Sequence, residues 1–88
     1  MNDKIVYQVD AKHCRVTLFE NRFRIELVNG WGKVTSTHEY YLARVMSTER
    51  RKPKEVRVRF GRGWNYVDIV FKKADDAERF VHFLNELI

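Results

Sequence analysis

The 88-residue sequence predicts a mainly β protein, with about seven short antiparallel strands followed by one C-terminal helix. Two observations lead to this prediction. Most of the chain between residues 4 and 72 alternates apolar and polar side chains, which is the period of a half-buried strand. The last fourteen residues instead repeat apolar side chains at the spacing of one helix face. A helix that is apolar on one side must cover another element, and the inner face of the sheet is the only candidate.

The first three strands are predicted at residues 4–9, 14–20 and 22–28. Between the second and third, Asn21 suits the left-handed conformation of a tight hairpin. The third strand has the clearest alternation and predicts two faces, with Phe23, Ile25 and Leu27 inward and Arg22, Arg24 and Glu26 outward.

Residues 34–49 are rich in strand-forming residues but long for one strand. We predict two strands, roughly 34–40 and 42–49, with a bend near Tyr41; a single bent strand is the alternative. A helix over Glu39–Met46 is disfavoured, because Val, Thr and two Tyr residues prefer strands.

Residues 50–54 predict a basic connector broken by the only proline. Strands are expected at residues 55–60 and 66–72, and the helix at 75–88, where Asp75 and Glu78 have the spacing of a capping box. The predicted helix face consists of Ala77, Phe80, Val81, Phe83, Leu84, Leu87 and Ile88. Seven twisted strands cannot stay flat, so we expect a curled barrel or two stacked layers with the helix over one open end.

The composition permits an anionic partner. The net charge of +5 suits lipid headgroups, nucleic acid or an acidic protein, although it can also serve solubility alone. Cys14 is the only cysteine, which fits a reducing compartment. No apolar segment resembles a signal peptide or a membrane span. We therefore expect one domain over residues 1–88, cytoplasmic or peripheral to a membrane.

No set of side chains predicts a reaction. His13, His38 and His82 are separated along the chain, and the short paired spacings of metal ligands are absent. Cys14 opens a strand and is expected to pack as a small apolar residue. We expect a non-enzymatic protein without a cofactor or a metal site.

The order of elements resembles the pleckstrin-homology-like (PH-like) fold, in particular its short bacterial versions. The matching segments are VTLFENRFRIELV, EYYLARVMSTE, EVRVRF, YVDIVFKK and DDAERFVHFLNELI, within residues 4–88. The resemblance implies a bent seven-stranded barrel capped by the C-terminal helix, and a binding scaffold instead of an enzyme. Eukaryotic relatives often hold phosphoinositide headgroups with basic residues at the first hairpin, and bacterial ones look more like protein-interaction modules. The corresponding basic residues here are Lys12, Arg15, Arg22 and Arg24.

A second basic set follows the later strands and consists of Arg50, Arg51, Lys52, Lys54, Arg57, Arg59 and Arg62. Arg57 and Arg59 share the outer face of one strand, where guanidinium groups could bind phosphate or carboxylate. The alternative is a solvated face whose arginines pair with neighbouring carboxylates such as Asp68.

Two tryptophans lie in glycine-containing loops, Trp31 beside Lys33 and Trp64 beside Arg62. Aromatic and basic side chains at loop tips suit base stacking, a bilayer interface or a protein anchor. The alternative is that each indole folds back over one end of the barrel, which we favour for Trp64.

These observations predict a binding module that recruits a protein partner or an anionic lipid surface through the basic strand face and the loop tryptophans. The alternative is a nucleic-acid-binding domain that uses the same surface. A strand at an open edge, EVRVRF or YYLARV, could also pair with its own copy. The candidate binding residues are Lys12, Arg15, Arg22, Arg24, Trp31, Lys33, Arg51, Lys52, Arg57, Arg59, Arg62 and Trp64.

Overall fold

The computed structural model describes residues 4–61 and 65–88, so the predictions for Arg62 and Trp64 lie outside the described residues. The chain forms seven strands, a short 3₁₀ turn and a C-terminal helix. In order these are β1 (Ile5–Ala11), β2 (Cys14–Phe19), β3 (Arg22–Val28), β4 (Val34–Tyr41), the 3₁₀ turn (Leu42–Arg44), β5 (Val45–Lys52), β6 (Glu55–Phe60), β7 (Tyr66–Val70) and α1 (Ala74–Leu87). Every paired strand is antiparallel to its neighbour, as the sequence predicts.

The strands form two separate sheets, one of β1–β4 and one of β5–β7. The described strands do not close into a barrel, because the chain leaves β4 through the 3₁₀ turn and starts a new sheet at β5. Among the described residues, a backbone hydrogen bond from Lys12 N to the Val70 carbonyl, at 2.9 Å, links the two sheets. The bond from Gly61 N to the Arg44 carbonyl, at 3.1 Å, extends the β5–β6 ladder. Of the two predicted arrangements, the layered one is formed.

Alternating side chains from both sheets meet the apolar face of α1 in one core. Phe80 of the helix is fully buried. Its ring centroid lies 5.7 Å from that of Phe23 in the first sheet and 5.5 Å from that of Phe71 beside the second. Ala77 and Leu84 are buried on the same helix face. The predicted covering role of the helix is therefore confirmed, and the helix packs most closely against β1, β5 and β6.

The middle of the chain confirms the predicted bend and corrects two assignments. Residues 34–49 divide at Tyr41 into β4 and β5, without the alternative long strand or α-helix. The basic segment Arg50–Lys52 belongs to β5, because its backbone pairs with β6, and only Pro53 and Lys54 form the turn. The EVRVRF segment is β6, which lies between β5 and β7 and so is not an open edge.

Burial departs from the two predicted faces of β3 at two side chains. Leu27 is 41% exposed, because it lies at the open end of the first sheet where a groove separates it from β7. Arg22 is only 9% exposed although it faces outward. Its guanidinium lies 4.3 Å from the Phe19 ring centroid and donates a 3.0 Å hydrogen bond to Glu39, which covers it.

The helix begins at Ala74 without the predicted capping box. Lys73 is the N-cap and makes no side-chain capping hydrogen bond. Asp75 and Asp76 lie inside the first turn, two and three positions after the N-cap, where their charges complement the helix dipole.

Candidate functional site

The connections after β1, β3, β5 and β7 meet at one end of the molecule. Within each antiparallel sheet, alternate connections must lie at the same end. Three backbone hydrogen bonds tie these connections and their neighbours together, from Lys12 N to Val70 O, from Val28 N to His13 O and from Phe71 N to Lys54 O, at 2.9, 3.0 and 2.7 Å.

Six of the seven lysines lie in these connections or directly beside them, at Lys12, Lys33, Lys52, Lys54, Lys72 and Lys73. Within residues 4–61 and 65–88, none of the six forms an ion pair with a carboxylate. An ammonium group on a flexible stem is a strongly hydrated point charge that can reach several positions. We call these six lysines together with Trp31 the lysine end.

The loop after β3 holds Trp31 away from the core. The Asn29 side-chain oxygen accepts hydrogen bonds from the backbone N–H groups of Trp31 and Lys33, at 2.9 and 3.0 Å. Gly32 completes the turn at a φ of 77°, a conformation that favours glycine. The indole is 92% exposed, so of the two predicted arrangements this tryptophan adopts the exposed one.

A cleft of about 380 Å³ opens within the lysine end, between the β1–β2 turn, the β3–β4 loop and the start of α1. Its basic lining includes Lys12, Arg15 and Lys72, with His13 beside them. Asp10, the acidic residue of the lining, forms an ion pair with Arg15 at 3.1 Å. The cleft therefore presents uncompensated positive charge, which suits an anionic group.

The predicted basic strand face is already paired. Arg57 donates to both carboxylate oxygens of Asp68, at 2.7 and 3.0 Å, and its guanidinium lies 4.0 Å from the Tyr66 ring centroid. These hydrogen bonds hold the pKa of the Asp68 carboxyl below its ordinary value. Arg59 lies 3.5 Å from Glu49. This face adopts the alternative arrangement, in which the arginines serve neighbouring carboxylates.

The outer face of the first sheet is neutralised in the same way. Arg22 and Arg24 both donate to Glu39 Oε2, at 3.0 and 2.9 Å. These hydrogen bonds hold the pKa of the Glu39 carboxyl below its ordinary value, and the bond from Arg22 has the largest effect. In the second sheet, Arg51 lies 3.8 Å from the carboxylate of Glu55.

The structure thus divides the predicted residues into two groups. Lys12, Trp31, Lys33 and Lys52 come together at the lysine end, with Arg15 beside them. The other predicted arginines within the described residues each lie beside a carboxylate of a sheet: Arg22, Arg24, Arg51, Arg57 and Arg59. The sequence predictions missed His13, Lys72 and Lys73. The signal that could have found them is the alternation of connections in an antiparallel meander, which places every second connection at the same end.

Replacing Glu39 with glutamine is expected to lower the free energy of unfolding by about 1 kcal/mol at neutral pH, since solvent screening limits a partly exposed ion pair. The folded state lowers the pKa of this carboxyl below its ordinary value of 4.5. Its contribution is therefore present above that value and is lost as the pH falls through the folded-state pKa. Urea unfolding of both proteins across this pH range should show the difference vanishing in acid. A difference that persists there would contradict the assignment to charge.

The chain matches no protein-family model, and no curated protein is similar to it in sequence at a significant level. In the part of the chain that the structure describes, no helix is long and apolar enough to cross a membrane. No three His, Cys, Asp or Glu side chains are grouped as metal ligands in that same part. Burial raises the pKa of the Cys14 thiol, which disfavours the nucleophilic thiolate.

Proposed function

We propose that the protein is a non-enzymatic binding module that attaches to an anionic lipid surface through the lysine end. The observation that carries this proposal is the gathering of six lysines, none of which forms an ion pair within residues 4–61 and 65–88, at the same end as an exposed tryptophan. Each lysine near an anionic bilayer contributes about 1 kcal/mol of attraction. Tryptophan prefers the headgroup region, where its ring is buried and its N–H stays hydrated. The location that follows is the cytoplasmic face of a membrane, where anionic lipids are exposed.

The architecture supports a PH-like scaffold for this role. Seven antiparallel strands followed by one C-terminal helix are the elements that the resemblance implies. In this interpretation the two sheets correspond to the parts that the family joins into a bent barrel, and the 3₁₀ turn Leu42–Arg44 lies at the corner between them. A scaffold of this kind does not choose its ligand, so the ligand is inferred from the charge of the lysine end.

The distribution of charge favours a lipid surface over nucleic acid. The nucleic-acid alternative relied on Arg57 and Arg59 to contact phosphates, but both have carboxylates beside them. The lysines, in contrast, can approach an anionic plane without breaking an ion pair. Recruitment of a protein partner by the same end is the other alternative, and a failure to bind anionic vesicles or nucleic acid in the following experiment would favour it.

We expect the protein to co-sediment with vesicles that contain phosphatidylserine and not with vesicles of phosphatidylcholine alone. Binding should weaken as salt is added, because exposed charges are screened. Replacing Trp31 with alanine should weaken binding roughly tenfold, since partial burial of an aromatic ring contributes about 1.5 kcal/mol.

The matched control is Met46→Ala, which removes another exposed apolar side chain from a strand away from the lysine end. It should bind like the unmodified protein. Parallel titrations with duplex DNA and single-stranded RNA distinguish the alternatives. Tighter binding to either nucleic acid than to the anionic vesicles, or equal binding to both vesicle types, would contradict the proposal.

A further inference from the structure

The four edge strands of the two sheets differ in how well they are protected. Strand β1 contacts α1 and carries a register shift, and β5 carries two register shifts and ends in the basic segment Arg50–Lys52. Strand β7 is five residues long, and its Val70 carbonyl accepts a hydrogen bond from Lys12. Bulges, short length, basic residues and covering elements are the usual means by which edge strands avoid pairing with another chain.

Strand β4 has only one of these features, a register shift near Thr35 at its beginning. It is eight residues long and contains no lysine, arginine or proline. Its pairing with β3 is regular from Arg22–Tyr41 to Leu27–Ser36. No element of the described chain pairs with its other side. A long, regular and uncovered edge is a template for an additional strand.

The register of β3 and β4 decides which backbone groups of β4 are free. Leu42 N donates to the Asn21 carbonyl at 2.9 Å, which makes these two residues a hydrogen-bonded pair. Hydrogen-bonded and non-hydrogen-bonded pairs alternate along an antiparallel ladder. Tyr40 and His38 therefore also bond to β3. Within the regular part of the ladder, the backbone N–H and C=O groups that point away from β3 belong to Thr37, Glu39 and Tyr41.

We propose that β4 pairs antiparallel with β4 of a second copy of this chain, with Thr37 opposite Glu39 of the other copy. This register also places Thr35 opposite Tyr41, and its two-fold axis passes beside His38. It joins the two four-stranded sheets into one continuous sheet of eight strands.

This register keeps every outward-facing residue of β4 within the new ladder. Thr37 pairs with Glu39, and Tyr41 lies opposite Thr35, at the register shift near the start of the strand. Shifting the two-fold axis to Thr37 or to Glu39 leaves Tyr41 or Thr35 without a strand partner. The shift to Glu39 also places two carboxylates opposite each other, which is unfavourable.

The side chains of β4 are compatible with a second copy. Glu39 is its only carboxylate, and the charge is offset by Arg22 and Arg24 of the same chain. The exposed aromatic ring of Tyr41 gains a threonine neighbour across the new ladder. Since the pairing is antiparallel, the lysine ends of the two copies point in opposite directions, and each stays accessible. This inference is independent of the proposed lipid binding.

Cross-linking tests the register directly. In a background with Cys14→Ser, His38→Cys would place two cysteines at a non-hydrogen-bonded pair, with Cα atoms about 4.5 Å apart, within the range for a disulfide. Ser36→Cys is the matched control on the same face, since its two copies would lie about 13 Å apart. Mild oxidation should give mostly disulfide-linked dimer for the first variant and monomer for the second. Equal cross-linking of both would overturn the proposed pairing.

Sedimentation velocity over a concentration series tests the association itself. We expect a monomer–dimer equilibrium that His38→Lys abolishes, because it places two ammonium groups opposite each other at the two-fold axis, where like charges are unfavourable. Ser47→Lys on β5 places the same side chain at another exposed edge-strand position and should leave the equilibrium unchanged. Circular dichroism establishes that both variants are folded. A strict monomer at the highest concentration, or a dimer unaffected by His38→Lys, would overturn the proposal.

Discussion

Replacing Phe80 with alanine is expected to lower the free energy of unfolding by about 3–5 kcal/mol, the usual cost of removing a large buried aromatic ring. Phe80 is fully buried and joins the helix to both sheets through Phe23 and Phe71. Phe23 and Phe71 are also fully buried, so removing the Phe80 ring would leave a cavity inside the core. A domain of this kind has a total stability of about 5–15 kcal/mol, and the variant should therefore be partly unfolded near body temperature.

Urea denaturation followed by circular dichroism measures this loss. The control is His82→Ala, two residues along the same helix on its exposed side. It changes the helix composition without opening a cavity and should cost less than about 1 kcal/mol. Similar losses for the two variants would show that α1 does not rely on its buried face.

Replacing Lys12 and Lys72 together with glutamine is expected to weaken binding to anionic vesicles roughly 30-fold. Both lysines line the cleft of the lysine end and have no ion pair among the described residues. Each contributes about 1 kcal/mol near an anionic bilayer, and 1.4 kcal/mol corresponds to a factor of ten in affinity. Vesicle co-sedimentation at fixed salt measures the change.

The matched control replaces Lys4 and Arg44 with glutamine. Both lie at the opposite end of the strands, outside ion pairs in the described chain, so this variant loses the same net charge from a different place. It should retain most of the binding. If the two double variants lose binding equally, only the net charge matters and the lysine end is not a site. Equal unfolding free energies would show that neither pair is needed for the fold.

The sequence predicts most of the elements because period-two alternation survives in the folded chain. Strand β6 is found at the predicted residues, and β3 likewise. Arg50–Lys52 was predicted as a connector because three basic residues precede a proline, but an edge strand can carry such side chains into solvent. The alternation does not distinguish a curled barrel from two layers, because the pattern of a strand shows which face is buried and not which strand is its neighbour.

The candidate site was harder to predict, because its residues are distant in the sequence. Trp31 and Lys33 attract attention as neighbours in a glycine-containing loop. Lys72 becomes part of the same surface only when β7 ends beside the β1–β2 turn, as the bond between Lys12 and Val70 shows. In the sequence the strand arginines are the more obvious candidates, because they alternate with apolar residues. In the structure, carboxylates across the ladders, such as Asp68, already neutralise them.

The separation of lysines from arginines has a further consequence. Acetylation or another modification that removes the charge of a lysine would lower the positive charge of the lysine end and leave the guanidinium–carboxylate pairs of the sheets intact. The proposed lipid binding and the ion pairs that stabilise the sheets therefore depend on different chemical groups. Either can be altered by mutation or modification with little effect on the other.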